Sequence, residues 1–268
     1  MPPLGGNGAQ SRGRDPVVIS DWALPVVSPT EDLSVEIAQA AIVQVIGEPR
    51  EDYLFRLWTQ EQNDVSVGNY RPTLERVANT VVVGSPGDLR PDVPLLLLQV
   101  RCVPDRAVRI SGPWCSVSAT GTFGHLTIEN AHGRALAVDT RGDIEIDSSD
   151  PGVVACAPIS GSLQVRCSGA SFLWLRSAAY DGGVQIASDG DITAWLPTTF
   201  DNSLDLISTL ADGISVDPAF APQAMRRPQG AQRDSGAAAG VRLLSHSGRI
   251  RVRESSPSSM PPVDVIWP

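Results

Sequence analysis

Residues Arg134 to Gly152 read RALAVDTRGDIEIDSSDPG, and the spacing inside this stretch decides the fold. Ile144 and Ile146 stand two and four positions after Gly142 and alternate with acidic residues. Period-2 alternation sends the two isoleucines to one face of a strand, and the glycine supplies a turn in which a positive φ carries little penalty. The tripeptide Arg141-Gly142-Asp143 has the composition of a cell-adhesion message. At this place in the pattern it reads as a turn leading into a strand, with its charges facing water.

Working outward, the same unit recurs. Gly124, Gly133, Gly142, Gly152, Gly161 and Gly169 follow one another at intervals of eight to ten residues. Leu126 and Ile128 follow Gly124 just as Leu163 and Val165 follow Gly161. The pattern continues in Val184 and Ile186, then in Leu204 and Leu206, and returns after Gly248 in Ile250 and Val252. One strand and one turn take about nine residues, so two units make a coil of about 18 to 20 residues whose like positions stack about 4.8 Å apart. The expected fold class is all-β, a single-stranded β-solenoid (β-helix) with an N-terminal β-layer and disordered ends.

Composition agrees with that choice. The 268 residues include 24 Gly and 22 Pro, with 5% aromatic and 19% charged residues, a mixture for short strands and frequent turns. All 21 basic residues are arginine, scattered through a chain of net charge −9. Nucleic-acid binding, which draws its affinity from clustered basic residues on phosphates, is therefore excluded from the expected roles. The longest apolar run, VPLLLLQV, is of strand length, far short of the roughly 18 residues that cross a bilayer. A cytoplasmic protein without membrane insertion is expected. Cys102, Cys115, Cys156 and Cys167 form no C-x-x-C pair and fall in phase with apolar strand faces, so they read as buried free thiols.

The chain divides into six segments on these signals. Residues 1–16 are expected to be disordered, 17–112 to form a β region continuous with the solenoid and capping its end, and 113–213 to carry the repeats. Residues 214–240, rich in Ala, Pro, Gln and Gly, are expected to form a flexible loop. Residues 241–254 should add a final coil, and 255–268 should be a disordered tail with a hydrophobic end. Within the N-terminal region, LSVEIAQAAIVQV reads as two strands, with Leu33, Val35 and Ile37 on one face and Val43 and Val45 on the next.

The run CSVSATGTFGHLTIENAHGRALAVDTRGDIEIDSS resembles the bacterial putative-adhesin repeat family, the toast-rack β-solenoids, most closely in LAVDTRGDIEI and in the later RLLSHSGRIRV. LSVEIAQAAIVQVIGE looks like the start of such a domain, and the resemblance spans about residues 33 to 253. It implies a solenoid named for adhesion, with no catalytic residue to carry over.

No G-x-S-x-G elbow, phosphate loop or H-E-x-x-H occurs. His125 alternates with Leu126 toward solvent, and His132 and His246 sit in or beside turns, so no cofactor or metal is expected. Asp143, Glu145 and Asp147 would line one outer strand face about 7 Å apart, a spacing that suits a hydrated surface, a cation or a glycosidase pair. Trp174 in SFLWLRS and Trp195 in DITAWLP stand where both strand faces are apolar, marking either a contact surface or the core of a wider coil. Val263, Val265, Ile266 and Trp267 give the tail a hydrophobic anchor for a partner. The reading is a non-enzymatic scaffold or interaction module with a protein partner and possible self-association. Its alternatives are a self-assembling solenoid like the bactofilins, a surface adhesin, and a carbohydrate-active β-helix enzyme.

Overall fold

The computed structural model describes residues 17–26, 28, 30–37, 41–59, 73–77, 80–84, 96–112, 115–130, 133–148, 152–177, 180–228 and 240–255. The described residues form an all-β sheet of twenty strands, β1 to β20 in chain order, arranged in two ladders.

Ladder A runs through β4 (Asp52–Thr59), β7 (Leu96–Cys102), β3 (Ala41–Gly47), the first half of β9 (Cys115–Asn130), the first half of β10 (Ala135–Ser148) and β11 (Val153–Ser160). It continues through β13 (Ala170–Trp174), β15 (Ile192–Leu196), β20 (Ile250–Glu254) and β17 (Ile214–Val216). Ladder B runs through β5 (Thr73–Val77), β6 (Thr80–Gly84), β2 (Asp32–Glu36), β8 (Ala107–Gly112) and the second halves of β9 and β10. Then come β12 (Leu163–Cys167), β14 (Val184–Ser188), β19 (Gly240–Ser245), β16 (Ser203–Ser208) and β18 (Ala224–Pro228). Every pairing is parallel except β4 with β7, β5 with β6, and β1 (Val17–Pro25) with β4.

The apolar pairs read from the sequence are the inward side chains of ladder B. Leu126, Ile144, Leu163, Val184, Val241 and Leu204 stand in one in-register line, with Ile128, Ile146, Val165, Ile186, Leu243 and Leu206 in the next. All are buried, and they share one core with the inward residues of ladder A, such as Val45, Ala119, Ala137, Cys156, Leu173, Ala194 and Val252. Each large aliphatic side chain so buried contributes about 1.5–3 kcal/mol, and the core is a continuous column because like positions repeat.

β9 and β10 pass from ladder A to ladder B without interruption, bending at the repeat's glycine. Gly142 has φ +102°, and a Cβ there would collide with the carbonyl oxygen of Phe123 one rung away. Gly161, at φ +93°, meets Gly142 in the same manner, so the corner tolerates only hydrogen at these two positions.

A second corner device is absent from the sequence reading. Ser148, Cys167, Ser188, Ser245 and Ser208 close successive ladder-B strands in register, all buried. Ser188 donates from its hydroxyl to the Gly169 carbonyl at 2.5 Å, Ser245 to Gly190 at 3.0 Å and Ser208 to Gly248 at 3.3 Å. The same hydroxyls accept from the N–H of Gly190, Gly248 and Leu210 in their own turns. Each hydroxyl therefore ties its own turn to the turn of a neighbouring rung.

Two expectations are corrected. Residues 214–240 were expected to be a loop, yet β17, a 3₁₀ turn at Pro218–Phe220 and β18 lie within them, with Phe220 fully buried. The Ala/Pro/Gln-rich composition underestimates this segment because parallel pairing with β20 and β16 satisfies its backbone and one phenylalanine anchors it. Second, residues 241–254 do not follow the preceding rung at the end of the stack. β19 lies between β14 and β16, and β20 between β15 and β17, so the last described strands fill an inner rung that β16 and β17 leave open. The other end is built alike: β2 and β3 lie between the later strands β6–β7 and β8–β9. Residues 1–16 and, of the expected disordered tail 255–268, residues 256–268 fall outside the described residues, while the N–H of Ser255 donates to the Leu196 carbonyl.

Candidate functional site on the outer face of ladder A

Outward positions of ladder A form two in-register rows. One runs Ser118, Leu136, Ala155, Phe172, Thr193, Arg251; the other includes Val138 and Ala157, then Trp174, Trp195 and Arg253. Leu136, Ala155, Ala157 and Trp174 pack as a second apolar cluster separate from the core, with Val138, Phe172 and Trp195 partly buried against it. Ser118 bounds the cluster on one side and Arg251 and Arg253 on the other. Both tryptophans lie outside the main core, in this second cluster, where Trp174 is buried and Trp195 partly so.

Residues 21 apart in sequence are brought face to face by the parallel register, which pairs Trp174 with Trp195. Their rings are parallel to within 3° at 4.6 Å between centroids. Phe172 stacks obliquely on both, at 6.0 and 6.2 Å. Such offset ring pairs add about 0.5–1.5 kcal/mol beyond the area they bury. Trp174 is only 3% exposed, and its indole N–H has no hydrogen-bond partner among the described residues. A buried donor left so costs about 1–3 kcal/mol. At the open end of the cluster Arg176 donates to Asp139 at 2.5 Å, and Asp139 holds a left-handed φ of 54°. Leu136 and Ala155 were not singled out from sequence; the signal was there, since LAV, ACA, FLW and TAW occupy the same phase.

Elsewhere the candidate residues are put to structural use. Asp143, expected simply to face water, accepts from Ser162 on the next rung, through its hydroxyl at 2.7 Å and its N–H at 2.9 Å. Those hydrogen bonds, the hydroxyl's first, hold its carboxyl below the ordinary value. Asp191 repeats the device, accepting from Arg249 N–H at 2.8 Å and the Arg251 guanidinium at 2.9 Å, with the same downward effect led by the backbone bond. Both sit in Gly-Asp-Ile, so the adhesion-like tripeptide is an instance of a rung-to-rung clamp. Glu145 lies 3.9 Å from Arg166, while Asp147 is exposed. His125 and His246 are exposed; His132 lies outside the described residues. The four cysteines form no disulfide and are buried, and burial pushes the Cys102 thiol up to about 12 and that of Cys115 to about 11. Val263, Val265, Ile266 and Trp267 lie outside the described residues. No described helix is long and apolar enough to cross a membrane.

No known family profile and no curated protein matches the chain. Solved structures to which it is similar include a putative adhesin from Bacteroides fragilis, at 12% identity and TM-score 0.48, covering 90% of this chain and 98% of that one. Others are a putative cell adhesion protein from Clostridium sporogenes (10%, TM-score 0.33, covering 90% and 100%) and a putative adhesin from Parabacteroides merdae (8%, 0.30, covering 88% and 96%).

Proposed function

We propose that this protein is a non-enzymatic β-solenoid, an adhesin-like scaffold that binds a protein partner through the outer aromatic face of ladder A. The solenoid reading is supported by register steps of 18, 19 and 21 residues, taken from Leu126 to Ile144, Leu163 and Val184. Residues 17–112 form the N-terminal region continuous with it, whose first turns cap the stack.

The observation that carries the binding role is the Phe172–Trp174–Trp195 stack on a face that points away from the core. Rigid aromatic side chains present large contact area at little entropic cost, and they dominate the centres of protein interfaces. The partner would cover Trp195 and Phe172, the partly buried members of the cluster. Four buried thiols that form no disulfide agree with a reducing, cytoplasmic setting for this encounter.

Site-specific photocrosslinking in cells tests this, with the crosslinking residue placed at Trp195 on ladder A or at His125 on ladder B. A protein adduct formed only from position 195 is the expected result. No adduct, or the same adducts from both positions, rejects the aromatic face as the contact surface; subcellular fractionation of the same cells tests the compartment.

A further inference from the structure

The outer face of ladder B carries a hollow that neither the core nor the aromatic face uses. Its outward residues also run in two rows, Glu145, Gln164, Gln185, Arg242, Asp205 and Asp147, Arg166, Ala187, Leu244, Ile207. Ala187 has only a methyl group between two long neighbours, and over it opens a hollow of about 170 Å³. This is room for a small ring, well beyond a single water.

The floor is aliphatic, from Ala187 and Leu244, and the walls are polar: the amides of Gln164 and Gln185 and the guanidiniums of Arg166 and Arg242. Neither amide has a hydrogen-bond partner among the described residues. Arg166 stands 3.9 Å from Glu145 and Arg242 3.7 Å from Asp205, close enough to balance charge but beyond good hydrogen-bond distance. The two guanidiniums are charge-balanced by Glu145 and Asp205, which stand beside the hollow and not on its lining. A carboxylate or phosphate would satisfy only the donors and would compete with those two carboxylates for the guanidiniums. A hydroxyl both donates and accepts, so a ring bearing several hydroxyls satisfies amides and guanidiniums at once, while its C–H face lies on Ala187 and Leu244.

We propose that this hollow binds a single neutral sugar ring, independently of the aromatic face. Saturation-transfer NMR on the full chain tests it with methyl α-glucoside, methyl α-mannoside, methyl β-galactoside, N-acetylglucosamine and glucuronate as probes. At least one neutral sugar should receive saturation. Gln185→Ala should weaken its binding about fivefold, the net worth of one hydrogen bond, and Ala187→Leu, which fills the hollow on the surface, should abolish it. Trp195→Ala should leave it unchanged, and circular dichroism melting verifies that each variant is folded. No transfer to any neutral sugar, transfer to glucuronate alone, or binding that survives Ala187→Leu or disappears in folded Trp195→Ala overturns the proposal.

Discussion

Asp143 and Asp191 show what a single side chain contributes in a repeat. Each follows a turn glycine and reaches across to the next rung, so one carboxylate anchors a backbone N–H that no strand pairing serves. For Asp191 the sign follows from its lowered value: the ionised form is favoured in the fold, so its stabilisation is present above the ordinary value of 3.8 and is lost as pH falls through the lower, folded-state value. Asp191→Asn should therefore melt below the wild type at neutral pH, by a small margin because the carboxylate is largely solvated. The two melting curves should converge in acid, and a constant gap at all pH values would contradict the assignment. These clamps were not legible in advance, because a sequence displays Gly-Asp-Ile but not which backbone donor lies one rung away. The Ser188, Ser245 and Ser208 ties escaped for the same reason, whereas Gly142 was legible because its constraint is local.

At the level of the strand, the repeat's short-range part could be read and its long-range part could not. Alternation placed Ile144, Ile146, Leu163 and Val165 on the inner face, since side-chain direction is a property of neighbouring residues. Which strand pairs with which, once the spacing departs from the period, is decided by competition across the whole stack. Val184 pairs with Val241, 57 residues on, and not with Leu204. β19 and β20 consequently hold ladder contacts on both sides. If a protease site is introduced between positions 229 and 239 and cut, the fragment carrying Gly240–Glu254 should stay bound through gel filtration under native conditions. Its release without denaturant would show that the rung is held by the covalent connection and not by its pairing.

For the molecule as a whole, the cysteines provide an internal gauge. Cys102, Cys115, Cys156 and Cys167 are spread along the stack, all buried in one continuous core. Cys156 has its thiol driven far up by burial. Alkylation of the native protein followed by mass spectrometry should give an all-or-none pattern, either unmodified or fourfold modified, with a rate that follows global unfolding. A population modified at Cys102 alone would mean instead that the N-terminal rungs open separately. The aromatic face was legible only in part at this scale: its two tryptophans could be named from sequence, but their stacking rests on a register that the folded whole imposes.

The inner placement of β19 and β20 also bears on how the chain is made. A ribosome delivers residues in order, and a stack whose rungs followed that order could close each one as it emerged. Here β16, β17 and β18 leave the exit tunnel before the strands on which they must rest. They must wait, with their pairing edges bare, until residue 254 has been synthesised and has moved clear of the tunnel. The closing stages of folding thus cannot begin before Glu254 has cleared the tunnel, and the interval between synthesis of Ser203 and release of Glu254 is the time during which this protein most needs a chaperone's cover.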